Sequence, residues 1–327
     1  MHTDSRCGLA RNRASSHPDA GRTQHGESAS GHPPHPLPRR PHHMSSPILP
    51  AIVALLAATT VAPANGAESA PLNLCEFVPV FNENFSAFRV SPRTLGDAQW
   101  IAHTPWNGDF GDAAFSDPGP QGPFSVVNGE LHITASRTPQ GRWHSGLIAA
   151  ADASGNGRGV RYGYFEARMK MPPGPGTWPA FWLMSLKPVA DPAPRVEIDV
   201  VEYYGHATDR YSASLHVWYR GANQNQTRHV THRSPVPAGS LVNGYHDYGV
   251  RVLPDKITYY LDRRPVWEQA TPAELDTPLY PLVNLALGSG YPIDQTPDPS
   301  TLAVKWVRLY ALDEAGRSSR CARPKEH

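Results

Sequence analysis

"RVEIDVVEYYG", residues 195–205, sets three acids, Glu197, Asp199 and Glu202, among β-branched and aromatic neighbours. Those neighbours have the composition of a half-buried strand. Burying charge is costly, so three carboxylates there need partners or a task. In a regular strand residues i, i+2 and i+4 share a face. Glu197 and Asp199 obey that rule, whereas Glu202 lies five residues after Glu197 and would point the other way. One extra residue, absorbed as a β-bulge at Val200–Val201, restores the alternation. All three acids then face one side, and Val196, Ile198 and one of the two valines face a core.

Two carboxylates flanking a glycosidic bond are what retaining glycoside hydrolysis requires, about 5–5.5 Å apart. One attacks the anomeric carbon; the other protonates the leaving oxygen and then activates water. A flat strand, rising ~3.3 Å per residue, would hold the two glutamates farther apart. A concave, bulged sheet and long Glu side chains close the difference. Asp199 would hydrogen-bond Glu197, and its charge would help keep Glu202 protonated. Acid clusters also serve as solvated faces or as calcium sites built from oxygen ligands.

The remainder of the chain reads as all-β. Short alternating runs recur, among them "GELHITAS" (129–136), "GYFEARMKM" (163–171), "YSASLHVWY" (211–219), "HDYGVRV" (246–252), "ITYYLD" (257–262) and "LAVKWVRLY" (302–310). Gly, Pro, Asn and Asp clusters separate them, the pattern of a β-sandwich. In 163–171 Phe165, Ala167, Met169 and Met171 alternate with Tyr164, Glu166, Arg168 and Lys170. One face is thus expected in the core and the polar face in a sugar-binding groove. No repeat of solenoid or propeller spacing occurs.

The two ends differ from this. Residues 1–43 are rich in His, Pro, Ser, Gly and Arg and are expected to be disordered, or an upstream extension of the reading frame ahead of Met44. Residues 44–67 run from "ILPAIVALLAATTVAPANGA" to two small-residue cleavage patterns, and read as a signal peptide rather than a membrane anchor. Residues 68–327 are then one catalytic domain, secreted or periplasmic, without a membrane anchor after cleavage. The whole chain has 30 Lys and Arg against 29 Asp and Glu. Residues 1–67 hold six of the Arg and only Asp4, Asp19 and Glu27. The exported part is therefore slightly acidic, which argues against nucleic acid as a partner. Export also favours a bridge between Cys75 and Cys321 near the two mature ends. A monomer is expected.

"Glu-Ile-Asp-Val-Val-Glu" resembles the catalytic signature of glycoside hydrolase family 16, in its bulged, laminarinase-like form. "YGYFEARMKMPPGPGTWPAFWLM" (162–184) resembles that family's strand and turn before the active site, and the likeness runs from about Phe81 to Tyr310. It implies a β-jelly roll of two curved antiparallel sheets with a substrate groove. Glu197 would be the nucleophile, Asp199 its helper and Glu202 the acid/base. Trp178 is expected in the groove and Trp182 near or in the core; core packing takes most aromatics. His216 matches a family position close to the acids, although a lone strand His serves equally as a structural residue, and Asn284 matches one on a substrate-side strand. Trp106 and Asn107, in "HTPWNGDFGDAAF", belong to a loop that would hold glycan. That loop resembles bacterial glycanases acting on succinoglycan-type exopolysaccharide. Lys305 stands where the family often has an Asp that contributes to structural calcium, which argues against calcium; no cofactor is required. The implied activity is endo-hydrolysis of β-glucan or bacterial exopolysaccharide. A transglycosylase and a non-catalytic carbohydrate-binding jelly roll are the alternatives, and intact Glu197 and Glu202 speak against the second.

Overall fold

The acidic run forms the strand Arg195–Glu202, with the strands Thr177–Ser185 and Arg210–Trp218 on its two sides. The computed structural model describes residues 71–106 and 108–313. These fall within one compact unit. From this centre a curved antiparallel sheet extends outward. Arg228–Pro235 is added beyond Arg210–Trp218, and Leu279–Leu287 and then Trp143–Ala149 are added beyond Thr177–Ser185. The short strands Trp100–Ile101 and Val90–Ser91 finish that edge.

A second antiparallel sheet packs behind it. Its order is Arg264–Ala270, Lys256–Leu261, His246–Val252, Gly163–Lys170 and Ser300–Leu312. The long last strand pairs with Glu130–Arg137 over its first half and with Phe77–Glu83 over its second. The sheets join at one corner, where Ser136 and Arg137 pair with His144 and Trp143. This is the all-β jelly-roll arrangement expected from the alternating runs.

The main core fills the space between the sheets. Val196, Ile198, Phe181, Leu183, Val283 and Leu285 meet Phe165, Ala167, Met169, Val250, Val304 and Leu309. Both Val200 and Val201 belong to this core and are at most 2% exposed. The expectation that only one valine would face inward was thus incomplete. A bulge places two residues opposite one, and here both extra side chains are apolar and stay inside. Beside the interrupted ladder, the buried Tyr259 hydroxyl crosses from the second sheet and donates to the Ser214 carbonyl at 2.8 Å. Glycine is required where the strand ends. A Cβ on Gly205 would lie 1.9 Å from the Gly174 carbonyl oxygen, so the acidic strand can exit close against the turn that carries Trp178.

The polar face of 163–171 does not line the groove. Gly163–Lys170 lies in the second sheet, and that face looks away from the acidic strand's sheet. Tyr164 and Glu166 are fully buried there, with Tyr164 packed among Phe77 and Tyr260. Glu166 accepts from Arg263 at 2.8 and 3.0 Å and from the Tyr164 hydroxyl at 3.0 Å. Arg263 comes from the two-residue hairpin Asp262–Arg263, where both φ angles are positive, as a type I′ turn needs. Alternation read from sequence separates the two faces of a strand but does not say which sheet the strand joins.

Arg263→Ala would leave the buried Glu166 carboxylate without its cation. It should cost roughly 3 kcal/mol in urea unfolding, because a buried charge loses its partner. Arg263→Lys should recover part of the loss. A cost for Arg263→Ala within about 0.5 kcal/mol of zero, the range of ordinary surface substitutions, would contradict this role.

Candidate active site

Antiparallel register aligns the acids with groups from the two neighbouring strands. Glu197 lies opposite His216 and Met184, Asp199 opposite Ser214 and Trp182, and Glu202 opposite Ser212 and Ala180. The register shifts between Asp199 and Glu202 against both neighbours, the bulge inferred from spacing. All three acids consequently line one groove section of about 430 Å³, with Trp106, Trp178, Trp182, His216 and Asn284.

Each carboxylate has its own donors. Trp218 donates its indole N–H to Glu197 Oε2 at 2.9 Å. His216 Nε2 lies 3.0 Å from Asp199 Oδ2. Trp178 and Tyr204 both donate to Glu202 Oε1, each at 3.1 Å. Two hydrogen bonds on Oε1 leave Oε2 as the Glu202 oxygen available to carry a proton into the groove. Stacked rings hold these donors in place. His216 lies flat on Trp218, 3° from parallel, and on His229, while Trp178 stacks on Tyr204 at 14°.

Electrostatics separate the acids further. Burial, then the charge of Asp199, pushes Glu197 up to about 8, against the pull of His216 and the Trp218 hydrogen bond. Burial, then the charge of Glu202, raises Asp199 well above the usual carboxylate range. Two buried carboxylates this close cannot both ionise easily, so the pair retains a proton to higher pH than either acid would alone. One atom each of Glu197, Asp199 and His216 lie within 4.8 Å of one another, a spacing a cation could also use. The Trp218 N–H already engages one Glu197 oxygen.

The structure brings together most of the side chains singled out from sequence. Trp178 is half-buried in the groove wall, with its N–H on Glu202. Trp182 is both core and wall: it is 5% exposed, lines the groove, and donates to Asn284 Oδ1 at 2.8 Å. Asn284 is fully buried and also reaches the Trp178 carbonyl at 3.4 Å, so it positions the two tryptophans. Trp106 packs edge-on against Trp182 from the covering loop. Phe110 of the same loop contacts Trp178 and Trp182. Asn107 and Cys321 lie outside the described residues, as do the segments 1–43 and 44–67. Among the described residues no helix is long and apolar enough to cross a membrane. Lys305 places its ammonium 3.4 Å from Glu130 and over the Tyr245 ring.

Two functional side chains were missed, Tyr204 and Trp218. Their signal was present. Tyr204 is two residues beyond Glu202, and Trp218 two beyond His216, so each shares the groove face by alternation.

Residues 124–308 match the profile of Glycosyl hydrolases family 16. The chain belongs to this family. It is 33% identical over 201 residues to the endo-1,3-1,4-beta-glycanase ExsH of Rhizobium meliloti, covering 58% of this chain and 40% of that protein. It is 32% identical over 201 residues to EglC of the same organism, with the same coverage. The chain thus spans well under half the length of these relatives. The laminarinase catalytic domain of Thermotoga maritima superposes with a TM-score of 0.54 at 19% identity, covering 72% of this chain and 98% of that domain. This last likeness speaks to the fold alone.

The raised Glu197 has a consequence for stability. Between its ordinary value of 4.5 and about 8, the folded chain holds a proton that the unfolded chain has lost. Stability should therefore fall as pH rises through that window. Glu197→Gln removes this titration. Its Tm should decline less from about pH 5 to about pH 8 than that of the parent, with Asp199 supplying the residual slope. Equal slopes would contradict a part for Glu197 in holding that proton.

Proposed function

We propose that this protein is an exported endo-β-glycanase that cuts β-glucan or bacterial exopolysaccharide by retaining double displacement. The observation that carries the reading is the shifted register of the acidic strand, which sets Glu197 and Glu202 on one groove face with Asp199 between them. Membership of family 16 and the names of the Rhizobium relatives support endo-acting hydrolysis of 1,3- or 1,4-β-linked glycan.

Glu197, held by the Trp218 N–H, attacks the anomeric carbon. Glu202 gives its proton to the glycosidic oxygen as that bond breaks. The leaving sugar departs, and Glu202 then takes a proton from water, which displaces Glu197 and restores both acids. Asp199, held by His216, takes the proton that the buried pair retains, which leaves Glu197 ionised for its attack. Trp178, Trp182 and Trp106 offer ring faces and edges to sugar. The chemistry needs no cofactor. Export through residues 44–67 and a Cys75–Cys321 bridge complete the reading, both resting on the sequence pattern.

Variants separate the two glutamates. Glu197→Ala should lose turnover on every substrate. Glu202→Ala should lose polysaccharide hydrolysis by at least ~100-fold, the scale of general acid–base catalysis. It should still consume an aryl glycoside with a good leaving group, accumulating a glycosyl ester. Peptide mapping should place that ester on Glu197, and added azide should release it with retained configuration. An ester on another residue, or an inverted azide product, would reverse the assignment. The same maps, run without reductant on secreted protein, should begin after residue 67 and contain a Cys75–Cys321 peptide.

A further inference from the structure

The groove does not stop at Glu202. A polar basin adjoins it, lined by Glu202, Tyr204, His206, Arg210, His229, Arg233 and Tyr291 among others. The register explains why. Glu202 pairs with Ser212, and Ser212 pairs with Arg233 on the outermost strand, so the three form one row across the sheet. Strands lie ~4.8 Å apart, which sets the Arg233 backbone about 10 Å from that of Glu202. That is about the step from one sugar ring to a substituent on the next.

The charge of the basin is one-sided. Arg210 is paired with Asp209 at 2.9 Å. Arg233 is exposed and forms no ion pair among the described residues. His206, tilted against Tyr291 with ring centroids 4.0 Å apart, and His229 face the same space. Glu202, the one acid among the lining residues, already accepts hydrogen bonds from Trp178 and Tyr204. A neutral glucan gives an unpaired guanidinium nothing to neutralise, whereas a carboxylate or sulfate accepts its planar fork of N–H groups in two bonds.

On the strength of the glycanase reading, we propose that this basin is a subsite for an acidic sugar. Arg233 takes the anionic substituent, and His206 and Tyr291 form the opposite wall. Arg233 is then a specificity-determining residue that touches substrate without taking part in bond cleavage.

The test compares one neutral mixed-linkage β-glucan with its carboxymethyl and sulfated derivatives. Arg233→Met keeps the aliphatic stem and removes the charge. It should lower kcat/KM on at least one anionic polymer about tenfold, the loss of one charge-assisted contact, and leave the neutral polymer unchanged. The derivative affected tells carboxylate from sulfate. Added salt should erase the difference between parent and variant. Arg228→Met, a loss of charge on the same strand at a residue already paired with Glu274, should have no such effect. Equal losses on neutral and anionic polymers, no loss on any, or the same loss from Arg228→Met would overturn the proposal. Affinity electrophoresis in the same polymers reads binding without turnover. If the parent cuts none of them, the hydrolase reading is in trouble, yet retardation by an anionic polymer that Arg233→Met abolishes would still support the subsite. Equal retardation of parent and variant would overturn it.

Discussion

Everything at the groove depends on the parity of one strand. Side chains alternate across a sheet, so a strand cannot present residues 197, 199 and 202 on one face unless one residue is taken out of register. The interruption between Asp199 and Glu202 does this, and it is anchored from behind. Val200 and Val201 are both packed into the core, and Tyr259 reaches through that core to the Ser214 carbonyl beside the gap in the ladder. The apolar interior therefore fixes where the carboxylates point. A substitution in the core behind the bulge should disturb the acids without touching them.

The three acids are chemically alike and are made different by their neighbours. Glu197 and Asp199 are deep enough that burial dominates their titration, and both are raised. Glu202 lies at the start of the open basin, with two donors on one oxygen. The donors come from aromatic rings stacked on one another rather than from flexible polar chains. Ring stacking limits the motion of each N–H and O–H, so the carboxylates are oriented before a glycan arrives. That preorganisation is obtained by burying like charges together, an arrangement that favours function over stability.

The architecture was legible because strands with one buried face announce themselves by alternation. The runs 163–171, 246–252 and 302–310 all became strands within two residues of the expected bounds. The bulge was legible because the acids break the period of two by one residue. Sheet membership was not, since the polar face of 163–171 carries Glu166, and only tertiary structure shows that Arg263 neutralises it in the second sheet. Tyr204 and Trp218 were overlooked because an aromatic at a strand end is usually a packing residue. The hydrogen bond of Tyr204 to Glu202 is local, but that of Trp218 to Glu197 requires knowing which strand lies alongside. Arg233 needed more, a register carried across three strands.

The central claim is that Glu197 and Glu202 divide one displacement into two, and the configuration of the first-formed product tests it most directly. Proton NMR of the cleavage of a β-glucan oligosaccharide, recorded before mutarotation, distinguishes the anomers of the new reducing end. Double displacement predicts that the β-anomer appears first and the α-anomer grows in only at the rate of mutarotation. An α-anomer formed first would mean that water attacks directly, and the roles given to Glu197 and Glu202 would be wrong.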